Sequence, residues 1–449
     1  MRKLTSLRSG KAVIFLVITT VILSGCTVSV SVSRPDAVEA PAFPETSPPV
    51  ETPIPGKTSL IRPHSTEHRY VHGEEGYYNL LEDGVEFKLV SQLSGTCWLC
   101  AASCAMTTGG QLKHEKNMVF DQIALLGEIY DDDKEEGVFI AEGTDKEKYG
   151  GAGIFVLNEL SRGFGDGFAV DGAIFAQNWT IDEIKDGIRK YGALYIGIPD
   201  TDSYKGNHDH YYTMNTPAPG ISEFDHSIAV LGWDDDFPKE YFNVEASRNG
   251  AWITYNSNYP LDYIYVSYDT PFDQLYDTPL FLSVTDRYPK VLAHDCGCWT
   301  SEPVCIGTPT TTANIFREKG TLAAVGTYVL ADDQDLLIQI LTPDLTKCLY
   351  SREYHADRTG YYVFELDTPI EVEEYAIAIS YPKGASVEGE SIDPDRLIHI
   401  GITSKKGQSY IQVDGNWLDM SEKSTWDRIG RVTNNACIKA LYEPFCSPE

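Results

Sequence analysis

"GTCWLCAASC", residues 95–104, puts three cysteines into one short apolar stretch. Cys97 and Cys100 have the C-x-x-C spacing of a disulfide oxidoreductase, which needs a βαβ context around it. Cys97, Cys100 and Cys104 look like part of an iron–sulfur ligand run, which needs a fourth cysteine at suitable spacing. A single Cys followed by Trp at the start of a helix also suits a thiol nucleophile. That chemistry needs a His, and an Asn or Asp to orient it, far away in sequence.

The rest of the chain discriminates among the three. The next cysteine after Cys104 is Cys296, too remote to complete a cluster run. The stretch after Cys104 turns rich in glycine and charge, with no βαβ pattern. The distant partners are present: "DHSIAVLGWDDD" (225–236) offers His226 at the head of an apolar strand, and "GAWITYNSN" (250–258) offers Asn256 after another. Both follow Cys97 in the order and at the distances of a Cys-His-Asn arrangement.

Around these residues the chain has a clear order. Arg2, Lys3, Arg8 and Lys11 precede an apolar run from Ala12 to Leu23, too short for a comfortable membrane span. "LSGC" (23–26) follows and resembles the lipobox of bacterial lipoproteins, which makes Cys26 the expected lipidated first residue of an exported chain. Residues 26–67 hold eight prolines among Ser, Thr and Glu and read as an extended tether. "EFKLVSQL" (86–93) reads as an entering strand or extended segment, and "CWLCAASCAMTT" (97–108) as a buried helix. "WTIDEIKDGIRKYG" (179–192) is a helix with Thr180 as N-cap and Gly192 as stop. "ALYIGIPD", "HSIAVLGW" and "YIYVSYD" read as strands. Beyond about residue 285, alternating runs separated by Gly, Pro and Asp turns suggest a β-sandwich.

The net charge of −30 disfavours nucleic acid as a partner. Removal of residues 1–25 takes away four positive charges and no negative one, leaving about −34. Export permits disulfides, and Cys296, Cys298, Cys305, Cys348, Cys437 and Cys446 are expected to form them in one of fifteen connectivities. A zinc site at His294, Cys296, Cys298 and Cys305 is the lesser alternative, because C-x-C spacing is unlike a zinc knuckle. Cys100 and Cys104 read as buried thiols.

Three blocks, "SQLSGTCWLCAAS", "DHSIAVLGWDDD" and "GAWITYNSNYPLDYIYVSYDT", together resemble the papain-like cysteine peptidases. More narrowly, they resemble the bacterial surface branch with a C-terminal lectin-like domain, to which "TANIFREKGTLAAVGTY" and "GQSYIQVDGNWLDM" are similar. The resemblance implies an α+β papain-like domain with helical and β-rich halves over residues 68–285, then an all-β sandwich over 286–449. It implies Cys97 as nucleophile, His226 as its acid–base partner, Asn256 as the residue that orients the imidazole, and Gln92 as an oxyanion donor beside the Cys97 N–H. Gly150 and Gly151 match the glycine pair whose backbone receives substrate as an added strand. No cofactor or metal is implied. The expected substrates are proteins or peptides, with glycan or protein as a partner of the second domain and the outer face of a bacterial membrane as the location. A catalytically inactive adhesin is the alternative. Three departures bear on it: Gln92 lies five residues before Cys97 rather than six, Asn258 stands where the family usually has Trp, and Cys100 stands where an aromatic residue is common.

Overall fold

The computed structural model describes residues 76–130, 136–140, 145–148, 150–163, 167–198, 212–214, 226–242, 245–258, 262–270, 278–296, 303–389 and 398–444. The expected export signal, Cys26 and the proline-rich tether lie outside the described residues. Among the described residues no helix is long and apolar enough to cross a membrane.

The first half alternates helices and strands: β1 (Tyr77–Asn79), α1 (Cys97–His114), α2 (Gln122–Ile129), β2 (Gly137–Ile140), α3 (Gly153–Leu160), β3 (Ala169–Phe175), α4 (Ile181–Tyr191), β4 (Leu194–Ile198), β5 (Tyr212–Met214), β6 (His226–Asp234), β7 (Ala251–Asn256), β8 (Asp262–Ser267) and β9 (Leu280–Thr285). The second half is strand after strand: β10 (Lys290–Ala293), β11 (Thr310–Val329), β12 (Gln334–Leu341), β13 (Cys348–Ala356), β14 (Gly360–Tyr381), β15 (Ile398–Gly401), β16 (Ser409–Val413), β17 (Asn416–Asp419), α5 (Lys423–Ile429) and β18 (Ile438–Tyr442).

Local chemistry accounts for the clearest boundaries. Thr180 accepts from the Glu183 N–H while Glu183 returns a bond to the Thr180 N–H, a capping box, and Gly192 closes the same helix. α1 is apolar nearly all round and buried for its first fourteen residues. It packs against β4, β6 and β9, and a Cβ on Gly109 would stand 2.0 Å from Leu282 O. Only glycine allows helix and strand to lie that close. Residues 86–93 are extended but join no ladder. Their backbone groups go instead to Gln111 Oε1, Tyr255 Oη and Ser257 O.

One antiparallel path, β10-β18-β11-β14-β3-β9-β4-β6-β7-β8, runs through both halves, with β5 added parallel to β8. The halves join where Gly360, Tyr361 and Tyr362 of β14 pair with Ile174, Ala173 and Gly172 of β3, and residues 70–449 form one compact unit. β11 and β14 are long, and β11 shifts register between Arg317 and Gly320 and between Leu322 and Ala324. These bulges let each strand serve two sets of neighbours: β12 and β16 at one end, β18 and β3 at the other. Both portions close on one core that includes Phe316, Val325, Leu336, Ile338, Phe364, Ile377, Ile379 and Ile438.

The disulfide expectation is corrected. Cys296, Cys305, Cys348 and Cys437 are free thiols, and Cys298 and Cys446 lie outside the described residues. Cys296 and Cys437 are buried, Cys305 and Cys348 are exposed, and none of the four is bonded to another cysteine. His294 is engaged in packing: its Nε2 bonds Ile315 O at 2.8 Å and its ring stacks on Phe316.

Candidate active site

Cys97 is the first residue of α1 and is 5% exposed. The first turn of that helix contains no acidic side chain, so the partial positive charge of the helix start is not cancelled locally. The Leu99 and Cys100 N–H groups donate to the Thr96 carbonyl at 3.1 Å, and an α-helix leaves the N–H groups before them without an intrahelical acceptor.

His226 opens β6 and Asn256 closes β7. These strands are antiparallel neighbours with Ala229 opposite Tyr255. Extending that register sets His226 opposite position 258, so Asn256 is its diagonal neighbour on the same face. The side chains meet: His226 Nε2 and Asn256 Oδ1 are 2.7 Å apart, both buried. An amide oxygen only accepts, so Nε2 carries the hydrogen and Nδ1 of the neutral ring is the basic nitrogen. The Asn258 N–H also donates to Asn256 Oδ1 at 3.2 Å, fixing the amide from behind.

Gln92 reaches the same place by another route. Its N–H donates to Ser257 O at 2.9 Å, and its Oε1 accepts from Ser257 Oγ at 3.0 Å. The short loop to Cys97 closes as a turn: Thr96 N–H donates to Leu93 O, Leu93 N–H to Thr96 Oγ1, and Ser94 takes φ 48°. Gln92 Nε2 donates to Ser94 O, which occupies one of its two hydrogens.

The opposite wall is built by residues 145–148, 150 and 151. Gly95 N–H donates to Glu147 O at 2.7 Å and Tyr130 Oη to Gly150 O at 3.0 Å. A Cβ on Gly151 would stand 2.5 Å from the Trp98 ring, whereas one on Gly150 would meet nothing within 4 Å. Gly151 is therefore required by contact with the residue after Cys97, and Gly150 is open to solvent.

The three cysteines separate chemically. Burial pushes the Cys100 thiol up to about 12, against the opposing effect of hydrogen bonds to Ser257, Tyr255 and Thr96. Burial also pushes Cys104 well above the ordinary thiol range, with Cys100 adding to it. Both stay protonated at neutral pH. Ser257 and Tyr255 escaped the reading of the sequence. They flank Asn256 on the opposite strand face, toward the first turn of α1, and the two-residue period of a strand was the signal for them.

Residues 291–442 match the family described as the lectin-like domain. Among solved structures the chain is similar to the clostridial cysteine protease Cwp84 after propeptide cleavage, with TM-score 0.66 and 16% identity over 81% of this chain and 98% of that one. It is likewise similar to the cysteine protease and lectin-like domains of Cwp84, a surface layer associated protein of Clostridium difficile, with TM-score 0.65 and 16% identity over 82% of this chain and 89% of that one. No curated protein matches the chain in sequence. At that identity the likeness speaks for the fold: the chain has the fold of a cysteine protease followed by a lectin-like domain, and the family model falls on the second part, residues 291–442.

Proposed function

We propose that this protein is an exported, lipid-anchored cysteine endopeptidase that hydrolyses proteins or peptides at a bacterial cell surface. Residues 1–25 direct export, Cys26 carries the lipid, and 26–67 form the tether. Residues 68–285 perform catalysis, and 286–449 contact glycan or protein at the surface. The observation that carries the reading is the buried His226 Nε2–Asn256 Oδ1 bond, which selects the tautomer a Cys-His pair needs.

In the first step His226 Nδ1 holds the proton given up by Cys97 Sγ, and the sulfur attacks the scissile carbonyl carbon. Charge collects on the carbonyl oxygen, where the Cys97 N–H and the second hydrogen of Gln92 Nε2 stabilise it. The C–N bond breaks as Nδ1 passes its proton to the departing amine, leaving a thioester on Cys97. Water, deprotonated by Nδ1, then attacks the thioester and releases the carboxylic acid and the thiol. Asn256 keeps the ring oriented through both transfers. Gly150, exposed and with nothing within 4 Å of its Cβ position, accepts the substrate chain as an added strand.

The test is hydrolysis of a denatured protein or peptide library by wild type and by Cys97→Ala. Cleavage lost in the variant supports the peptidase; no cleavage by reduced wild type supports the inactive adhesin.

A further inference from the structure

The wall that carries Gly150 and Gly151 is held on both sides by the second half of the chain. Upstream, β2 pairs with β15, from Gly137 opposite Gly401 to Ile140 opposite Ile398. Downstream, α3 runs from Gly153 to Leu160 and ends on residues of the second half. Tyr328 Oη donates to Asn158 Oδ1 at 2.8 Å. Arg162 Nη1 donates to Cys296 O at 3.0 Å and pairs with Glu159 at 3.2 Å. Tyr361 Oη donates to Ser161 O at 3.5 Å. The two anchor points also meet each other, since a Cβ on Gly137 would stand 2.9 Å from Glu159 Oε1. Behind them the Lys439 ammonium, 1% exposed, pairs with Asp295 and lies 4.6 Å from the centre of the Tyr328 ring.

Apolar side chains would join two halves at least as firmly, because burying charge and hydroxyls carries a desolvation cost. What directional bonds add is a defined position. Asn158 lies seven residues beyond Gly151, roughly 10 Å along the helix. The other end of α3 is fixed where a Cβ on Gly153 would stand 2.7 Å from Tyr195, whose hydroxyl bonds Ser227 Oγ next to His226.

We infer that Tyr328 is a positioning residue for substrate: through Asn158 and α3 it sets where the Gly150–Gly151 backbone stands relative to Cys97. The second half is then part of the substrate site as well as a surface module. This rests on the peptidase reading above.

The experiment uses the full chain with Tyr328→Phe, which removes the hydroxyl and keeps the ring beside Lys439. Arg162→Gln, at a partly exposed side chain, is the second variant should the first fail to fold. Three readouts are taken: kcat and KM on one fluorogenic peptide, the rate of Cys97 alkylation by iodoacetamide, and amide hydrogen exchange across residues 145–152. KM is expected to rise about fivefold, with kcat and alkylation within about twofold of wild type, and exchange at Gly150 and Gly151 to accelerate. Unchanged KM in a folded variant overturns the inference, as does a parallel fall in kcat and alkylation rate. Should wild type cleave no peptide, the peptidase reading fails by itself. Exchange then decides: faster at Gly150 and Gly151 in Tyr328→Phe upholds the positioning role, and unchanged exchange overturns it.

Discussion

At the start of α1 a thiol, an imidazole and two amides stand at the ends of separate elements, with Leu93, Ser94 and Gly150 exposed around them. At the foot of α3 an ammonium, two carboxylates and two phenols are sealed between the halves, with Asp295, Lys439, Glu159, Tyr328 and Tyr361 all buried. The residue types overlap, but the arrangement differs. Asp295 at the foot of α3 has a cation held against it, and Glu159 has Arg162 beside it. At the helix start His226 is oriented by a neutral amide, which fixes the ring without placing a charge beside it. Paired charge fixes geometry; a neutral orienting partner leaves charge free to form during a reaction.

The comparison can be broken by mutation, with the largest effect on the site side. His226→Ala is expected to lower kcat/KM by about 10²–10⁴ while leaving the thermal midpoint within a few degrees of wild type; a large loss of Tm instead makes His226 a core residue. On the other side, Lys439→Ala strands the Asp295 carboxylate and is expected to destabilise by about 3–5 kcal/mol. Replacing both partners, as Lys439→Met with Asp295→Leu, should recover most of that loss in denaturant titrations, and equal losses would deny the pair its coupling.

A third cluster lies between these extremes. Asp171, buried on β3, takes Lys113 and His114 from the end of α1 and Ser283 Oγ from β9. Burial alone raises its carboxyl, but the His114 hydrogen bond and the Lys113 charge together hold it below the ordinary range. Its contribution is present above the unfolded-state value and is lost as pH falls through the lower folded one. Asp171→Asn should therefore cost about 1–3 kcal/mol at neutral pH and flatten the acid limb of the Tm profile. An acid limb identical to wild type would remove Asp171 from the account. The smallest effect is at Ser257. Ser257→Ala frees the Gln92 side chain and should lower kcat about fivefold with stability changed by ~1 kcal/mol or less; an unchanged kcat would mean that Gln92 needs no such support.

The two regions also differed in how much the sequence disclosed. Cys97, His226 and Asn256 stood out because a Cys-His-Asn set has a known order and separation. Thr180 and Gly192 marked the two ends of α4 because capping is settled within a few residues. The foot of α3 was invisible: Asn158 and Tyr328 are 170 residues apart, and neither belongs to a motif. α2 and α3, eight residues each, are too short for periodicity to stand out. The cysteines beyond residue 290 invited disulfides because sequence spacing carries no information about Cα separation, and the described ones are free thiols. Residues 86–93 read as an entering strand or extended segment from alternation and are extended, with hydrogen-bond partners that are largely side chains, which a pattern of apolar residues cannot reveal.

The most direct test of the central claim is alkylation of the folded, reduced protein near pH 7, with the modified cysteines mapped by mass spectrometry in wild type and His226→Ala. Cys305 and Cys348, exposed and free, serve as internal references. The expected result is Cys97 reacting at least about tenfold faster than either reference, Cys100 and Cys104 silent until the protein unfolds, and the Cys97 advantage lost with His226. Cys97 reacting no faster than Cys305 and Cys348, or equally fast without the imidazole, would contradict the claim that this helix start is a nucleophile site.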